Sequence, residues 1–188
     1  PYIKSFHDEY PKINIRIFTD KTSDLIRKSK MGLIDVIFIN LPYNLPKEFE
    51  MYKIMDLHDC LVATNVFDKY KNKKLNVKDL ENLPLLVLTK GTMTRNRFDD
   101  FCFKNNIKIN PTMEFGSNTL IKEFTEAGFG IGLLTEEHVK DELSSGKLFK
   151  LNINLSLEDK YLGMVYNTEN KSLVSKNFIK YIKNNISK

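Results

Sequence analysis

Side chains that carry hydroxyl groups stand at three predicted helix starts. These starts are Lys21-Thr22-Ser23, Thr92-Met93-Thr94 and Ser117-Asn118. The first backbone amides of a helix have no intrahelical acceptor, so with a hydroxyl group beside them they can bind a carboxylate or a phosphate. The alternative is that each hydroxyl group only caps its own helix, which stabilises a helix by about 0.5–2 kcal/mol. From the residue types alone, capping is the favoured interpretation at all three positions.

Motifs for catalysis or for metal binding are weaker. The three histidines, His7, His58 and His138, are far apart, and none has the paired spacing of a helical zinc site. There is no recognisable Ser-His-Asp order or nucleophile elbow. The glycine-rich run 128–132 follows a predicted helix and opens a predicted strand, whereas a phosphate-binding loop follows a strand and opens a helix. We therefore expect a tight turn there, and no catalytic residue, metal or cofactor.

The first helix start belongs to a helix, glycine and strand unit between residues 22 and 40. Thr22 is a suitable N-cap, and Gly32 can end the helix in the left-handed conformation. The continuous apolar run Val36–Ile39 predicts a strand that is covered on both faces. In such a unit the helix start and the strand end lie near the same sheet edge, where small ligands bind. This pattern predicts a ligand-binding α/β domain.

Apolar periodicity predicts further elements along the chain. Residues 1–9 are predicted to end a helix, and Ile13, Ile15 and Ile17 alternate with polar residues as in a strand. Further strands are predicted at 50–57, 59–64, 85–88, 111–115, 128–134, 147–151 and 160–166. Further helices are predicted after 76, after 91–94, at 120–127, from 135 to 143 and after 172. Strands that alternate with helices predict mostly parallel pairing, here in two sheets.

Composition restricts the class of protein. A chain of 188 residues can bury a core as one domain or as two small lobes, and 41% hydrophobic with 28% charged residues is typical of a globular protein. No apolar run reaches the length of a membrane span, and the first residues contain no secretory apolar region. Cys60 and Cys102 stand apart among apolar or aromatic neighbours, which predicts buried free thiols and a cytoplasmic protein.

The positive charge of the chain is spread out. The net charge is +5, and the densest run of lysines, residues 69–74, is predicted to be a solvated loop. A nucleic-acid interface would place such charge along one face, with aromatic side chains for stacking. Direct binding of nucleic acid by this chain is therefore not predicted.

Residues over nearly the whole chain match one family pattern, that of the effector-binding domain of LysR-type transcriptional regulators. The first half resembles it through Tyr10-Pro11, Thr22, Leu25, Gly32 and Asp35. The second half resembles it through Asp79-Leu80, Pro84, Gly91, Arg95 or Arg97, Asp99, Ser117, Ala127, Gly128, Gly130, Ile131 and Gly132. Thr135 stands where the family usually has proline, which changes the side chain at an expected site position.

The resemblance implies a fold and a role. The implied fold is the α/β fold of type 2 periplasmic binding proteins, with two Rossmann-like lobes and a ligand cleft. Lobe I would contain residues 1–57 and 161–188, and lobe II residues 58–160. The implied role is to sense a small effector held between the lobes and so to modulate DNA binding by an N-terminal winged helix-turn-helix, which residues 1–188 do not contain. The family also has a strand and a Ser/Thr-bearing loop before the helix that residues 1–9 would finish.

The resemblance also changes the interpretation of the helix starts, because the family places its effector at matching loops. The expected ligand-binding residues are Lys21, Thr22, Asn40, Gly91, Thr92, Met93, Thr94, Ser117, Asn118 and Thr135. Lys21, Lys90 and Arg95 would add positive charge, so a small anion is the expected effector.

The implied partners are the effector, a second copy of the chain in a dimer or tetramer, and DNA through the other domain only, with no membrane. By resemblance, residues 13–18 and 117–127 are the expected contact surfaces between copies. One alternative is an enzyme on the same two-lobed fold, because Thr94–Phe98 faintly resembles a dehydratase Thr-Arg-Phe motif; an insertion interrupts that motif, and no acid–base pair stands beside it. The other alternative is an exported solute-binding protein.

Overall fold

The computed structural model describes residues 2–169 and 172–186, and these divide into two units. Unit 1 contains Pro1–Asp56 and Lys160–Lys188, and unit 2 contains Leu57–Asp159. The chain thus leaves unit 1 once and returns to it once.

The described residues form helices and strands in the following order. The helices are α1 (Tyr2–Glu9), α2 (Thr22–Lys30), α3 (Met93–Lys104), α4 (Asn118–Glu126), α5 (Lys140–Ser144) and α6 (Leu173–Ile186). The strands are β1 (Ile37–Leu41), β2 (Phe49–Leu57), β3 (Asp59–Ala63), β4 (Lys74–Leu75), β5 (Leu85–Leu88), β6 (Met113–Phe115), β7 (Ile131–Thr135), β8 (Phe149–Lys150), β9 (Asn152–Ile153) and β10 (Lys160–Asn167). Short 3-10 helices lie at Asn65–Tyr70, Val77–Asn82 and Glu136–His138.

Unit 1 is built on a three-stranded sheet in the order β1-β10-β2. Side chains along β1 alternate between faces, and Ile37, Ile39 and Leu41 are buried against Ile26 of α2. The other face packs on α6, where Ile179 contributes to a second apolar cluster. Helices α2 and α6 therefore pack on opposite faces of the sheet.

Helix α1 packs on α6 through aromatic side chains. The ring of Phe6, which is 1% exposed, lies 4.9 Å from the ring of Phe178 and 5.4 Å from that of Tyr181. The prediction of a helix over residues 1–9 is confirmed for Tyr2–Glu9, and Pro1 lies outside the described residues.

Unit 2 contains a five-stranded sheet in the order β6-β5-β7-β3-β8 and the small pair β4-β9. All four residues of the interior strand β5 are buried, because helices cover both faces. Leu85 and Val87 join an apolar cluster with Phe98 of α3, and Leu86 joins another with Ile121 of α4. The prediction of a buried strand at 85–88 is confirmed.

A tight turn joins α4 to β7, as the glycine-rich run predicted. Gly128 has a φ of +81°, and the amide of Phe129 donates to the carbonyl oxygen of Phe124 over 3.1 Å. Gly130 packs so closely under Pro84 that a Cβ atom there would lie 2.5 Å from the Pro84 carbonyl oxygen. These glycines therefore allow the turn and the close approach of two backbone segments.

The strand predicted from Ile13, Ile15 and Ile17 is wrong. This segment has no strand partner among the described residues, and Ile17 and Phe18 are 72% and 56% exposed. A strand needs a neighbour for its N–H and C=O groups, so alternation of side chains alone does not make one.

Other boundaries also differ from the predictions. Strand β1 is covered fully on one face only, because Phe38 is 38% exposed. The predicted helix 135–143 is interrupted at Val139, whose φ of −118° and ψ of 18° are not helical and whose side chain is buried. The strand predicted at 147–151 is shorter, at Phe149–Lys150.

The expectation of mostly parallel pairing is wrong in part. Strand β5 is parallel to β6 and β7, and β4 is parallel to β9, but β1 is antiparallel to β10, and β3 is antiparallel to β7 and β8. Parallel neighbours need a crossover connection, whereas β3 and β10 enter their sheets directly from the other unit and can pair in the opposite direction.

Candidate functional site

Seven of the expected site residues lie at one edge of the unit 2 sheet. Because β5, β6 and β7 are parallel, their C-terminal ends meet at the same edge. The loops after β5 and β6 are joined there by a hydrogen bond of 2.9 Å from the Thr89 amide to the Phe115 carbonyl oxygen. The seven residues are Gly91, Thr92, Met93, Thr94, Ser117, Asn118 and Thr135.

Thr92 is the N-cap of α3. Its hydroxyl oxygen accepts from the Arg95 amide over 3.4 Å, and its hydroxyl group donates to the Thr89 carbonyl oxygen over 3.0 Å. The amides of Met93 and Thr94 have no acceptor within residues 2–169 and 172–186. The hydroxyl group of Thr92 is thus engaged, and these two amides are the groups that can bind an anion.

Ser117 caps α4 in the same way. Its hydroxyl oxygen accepts from the Leu120 amide over 3.3 Å, while the side chain is exposed and that of Asn118 is half-buried. The capping interpretation therefore holds for both Thr92 and Ser117, and it leaves the first amides of each helix for a ligand.

Thr135 ends β7 and lies opposite Asp59 of β3. The hydroxyl group of Thr135 does not cap the 3-10 helix that follows, so the prediction that this residue caps a long helix is wrong. Its position at the sheet edge follows instead from strand pairing.

Arg95 is not a site cation. Its side chain is 3% exposed, and its guanidinium donates to Asp99 over 2.7 Å and to Glu114 over 2.9 Å. It also donates to the Leu88 carbonyl oxygen over 2.9 Å. Burial alone would lower the pKa of Arg95, but its hydrogen bonds to the two carboxylates raise it. The expectation of free positive charge here is wrong, because Arg95 precedes Phe98 by three residues and shares its buried face.

Sequence reasoning missed Arg97 as the arginine near Thr135. Its side chain is 10% exposed, and its Nη1 atom lies 3.9 Å from Oδ2 of Asp59, the residue opposite Thr135. Nε and Nη1 of Arg97 have no hydrogen-bond partner among the residues described. The family pattern left the choice between Arg95 and Arg97 open, and that was the available signal.

Three expected site residues belong to unit 1. Helix α2 begins at Thr22 and has Lys21 as its N-cap residue, so the prediction of Thr22 as the cap is wrong by one position. Asp20 accepts from the Lys21 amide over 3.0 Å and from Nζ of Lys28 over 2.7 Å. Asn40 lies within β1, opposite Leu162 of β10.

Other reactive groups are occupied or buried. Cys60 and Cys102 are free and buried, as predicted, and burial raises their pKa values to about 12 and about 11. Nδ1 of His58 lies 2.6 Å from a carboxylate oxygen of Glu137. No group of three or more His, Cys, Asp or Glu suited to a metal ion occurs in the described part of the chain. None of the helices described here is both long enough and apolar enough to cross a membrane.

Two α/β units, the second inserted into the first, with helix starts gathered at the C-terminal ends of parallel strands, define the type 2 periplasmic binding protein-like class of domain. Residues 1–187 match the family model described as the LysR substrate binding domain, and the chain belongs to this family.

Curated relatives are regulators of transcription. The chain is 26% identical over 179 residues to the HTH-type transcriptional activator CmpR of Synechocystis. The aligned region covers 94% of this chain and 58% of that protein. The chain is also 25% identical over 190 residues to the HTH-type transcriptional regulator CysL of Bacillus subtilis. This alignment covers 98% of this chain and 62% of that protein. The chain thus spans roughly three fifths of the length of these relatives.

Solved structures share the fold. The regulatory domain of CcmR from Synechocystis, in complex with 2-PG, superposes with a TM-score of 0.83 at 17% identity, over 98% of this chain and 89% of that one. The effector binding domain of QuiR, in complex with shikimate, gives 0.80 at 15% identity, over 99% and 88%.

Proposed function

We propose that this chain senses a small anionic metabolite and thereby modulates DNA binding by another domain of a longer LysR-type regulator. The observation that carries the proposal is the match of residues 1–187 to the LysR substrate binding domain. It is supported by relatives of greater length that are named as HTH-type regulators, and by the fold shared with domains in complex with 2-PG and with shikimate.

Each unit has its own proposed ligand contacts, mainly at its helix starts. In unit 2 these are the amides of Met93 and Thr94 and the start of α4, with Thr135 at the same sheet edge. In unit 1 they are Lys21 and Thr22 at the start of α2, and the proposal adds Asn40, which lies in strand β1. Unengaged amides at a helix start favour a carboxylate or a phosphate. Exposed Lys21 and Lys90 supply the positive charge that Arg95 does not.

The proposed mechanism is a shift between two arrangements of the protein. An effector changes this equilibrium only by the difference in its affinity for the two arrangements. Couplings of this kind are typically about 1–3 kcal/mol, which changes DNA affinity by about 5- to 150-fold.

We further propose that the protein acts in the cytoplasm, as a dimer or tetramer, and not as an enzyme. The dehydratase alternative depends on Thr94 and Arg95, but Thr94 is 7% exposed and Arg95 is held by Asp99 and Glu114. Neither side chain is available to a substrate in this arrangement. The relatives are regulators, which also disfavours the alternative of an exported solute-binding protein.

A thermal-shift screen tests the proposal, with 2-PG, shikimate and a set of small carboxylates and phosphates as probes. A ligand at 100 times its Kd should stabilise the protein by about 2.7 kcal/mol. Thr22→Val, which keeps the side-chain volume and removes no cap, should weaken binding of the hit at least fivefold, as measured by calorimetry. The matched control is Thr112→Val, an exposed threonine before β6, at the end of that strand remote from Ser117. Equal affinities of the wild type, Thr22→Val and Thr112→Val would show that Thr22 is not part of the site. A screen in which none of the anions binds would contradict the proposed class of effector.

A further inference from the structure

A pocket lies within unit 2 between α3 and the segment that precedes β10. It has a volume of about 240 Å³. One wall is α3 from Arg97 to its C-cap residue Asn105, and the other is the run 154–158 that follows β9. None of the seven expected site residues at the sheet edge lines this pocket. Pockets for drug-sized ligands measure about 300–1,000 Å³, so this one suits a smaller molecule.

Part of the lining is apolar and is continuous with the core of unit 2. Phe101 is 7% exposed and belongs to the apolar cluster that contains Leu85 and Val87. The half-buried side chains of Val77 and Leu157 pack against the same cluster and also line the pocket. A ligand with an apolar part can therefore bury that part here.

Four charged side chains line the pocket, and two of them pair with each other. Nζ of Lys104 lies 3.5 Å from a carboxylate oxygen of Glu158, and this exposed pair joins the two walls. The other two are Arg97 and Asp100, three positions apart on α3, a spacing at which opposite charges on a helix can meet. No ion pair joins these two within the described part of the chain. The pocket therefore has one positive and one negative group that do not neutralise each other.

Arg97 is the buried member of these two. Its side chain is 10% exposed, and Nη1 lies 3.9 Å from Oδ2 of Asp59, beyond hydrogen-bond distance. Nε and Nη1 have no hydrogen-bond partner among residues 2–169 and 172–186. Buried donors without acceptors are rare because desolvation leaves their cost uncompensated. A carboxylate can supply two acceptors to one guanidinium at once.

The opposite wall offers backbone donors as well. The amides of Leu155 and Leu157 each donate to the carbonyl oxygen two residues earlier, over 3.2 Å and 2.7 Å. The amides of Ser156 and Glu158 alternate with them and have no acceptor in the described ranges. Both of these residues line the pocket, so their amides are available to a ligand.

We propose that this pocket binds a small α-amino acid with an apolar side chain. Arg97 turns from Asp59 towards the pocket and holds the α-carboxylate of the ligand, and the carboxylate of Asp100 pairs with its ammonium group. The side chain of the ligand lies on the apolar part of the lining. This site is additional to the effector contacts proposed above and does not depend on them.

Calorimetric titration with three probes tests the class of ligand. L-leucine has both charged groups, isocaproate lacks the ammonium group, and isoamylamine lacks the carboxylate. We expect L-leucine to bind, and each of the other two to bind about tenfold more weakly or worse, because each loses the hydrogen bonds of one charged group.

Variants of the two charged residues test the location. Arg97→Gln and Asp100→Asn should each weaken binding of L-leucine by about tenfold or more. Asp100 is exposed, so its replacement keeps the test valid if Arg97→Gln destabilises the fold. The matched controls are Arg27→Gln and Asp141→Asn, at exposed positions outside the pocket, which should bind L-leucine as the wild type does.

Three results would overturn the proposal. They are no binding of L-leucine, equal binding of isocaproate, and an unchanged affinity of Asp100→Asn. Displacement of L-leucine by 2-PG would also overturn it, because competition would assign the amino acid to the helix starts that are proposed for the effector.

Discussion

Arg95 and Arg97 lie two positions apart on α3 and have different surroundings. The guanidinium of Arg95 has two carboxylates and a backbone carbonyl oxygen as acceptors, so its charge is fully compensated inside unit 2. Arg97 faces the carboxylate of Asp59 at 3.9 Å, and two of its nitrogens have no acceptor within the part of the chain that the structure describes. Arg95 is therefore a structural residue that joins α3 to β5 and β6.

Replacement of Arg95 should destabilise the protein strongly. Arg95→Met removes the donor shared by the Leu88 carbonyl oxygen and the partly exposed carboxylates of Asp99 and Glu114, and loss of hydrogen bonds to charged groups costs about 1.5–3 kcal/mol. The control is Arg27→Met, an arginine of α2 whose side chain is 63% exposed and pairs with Asp24, with an expected cost below about 1 kcal/mol. Urea unfolding measures both values, and similar costs would contradict the structural role.

The pair of His58 and Glu137 should make stability depend on acid pH. Partial burial alone would raise the pKa of Glu137, but hydrogen bonds from the side chain and the amide of His58 lower it below its ordinary value of 4.5. A carboxyl group with a lowered folded-state pKa stabilises the protein above its unfolded-state value and loses this contribution as the pH falls through the folded-state value.

Wild-type protein should therefore lose more stability than Glu137→Gln between about pH 5.5 and pH 3.5, because only the wild type must protonate this carboxylate. Urea unfolding across that range is the measurement. The matched control is Glu123→Gln, an exposed position on α4, which should follow the wild-type curve. A Glu137→Gln curve parallel to that of the wild type would contradict the assignment.

The turn between α4 and β7 depends on glycine for space rather than for a ligand. Gly130→Ala should destabilise the protein by about 1–3 kcal/mol, because its Cβ atom would be forced against the backbone of Pro84. Gly116→Ala is the matched control, since a Cβ atom there meets nothing within 4 Å. If thermal unfolding shows an equal loss of stability for the two variants, close packing is not the reason for glycine at position 130.

Elements whose side chains pack within one unit were predictable from the sequence. Strand β5 and helix α3 were found because the apolar pattern and the burial agree. Residues 13–18 carry a strand pattern but have no described partner, and partners are not visible in a local pattern. The grouping of helix starts at one sheet edge was predictable from the alternation of strands and helices. The different surroundings of Arg95 and Arg97 were not predictable, because they depend on contacts between elements.

Self-association of the whole molecule is expected from the family to involve residues 13–18 and helix α4. Leu120 of α4 is 42% exposed, which suits a contact between copies. Leu120→Asp should weaken self-association at least tenfold in analytical ultracentrifugation, because a carboxylate would be buried in an apolar contact. Phe103→Asp, at a position 84% exposed on α3, is the control and should leave association unchanged. A wild-type protein that is monomeric at all concentrations would contradict the expected pairing.

The order of the strands has a consequence for synthesis on the ribosome. In the described sheet of unit 1, β10 lies between β1 and β2, and β10 follows all of unit 2 along the chain. Every strand of unit 2, in contrast, is complete once Asp159 has emerged. Among the described elements, unit 2 is thus the first that can finish its sheet, whereas the pairing of β1 with β10 must wait until all of unit 2 has been made.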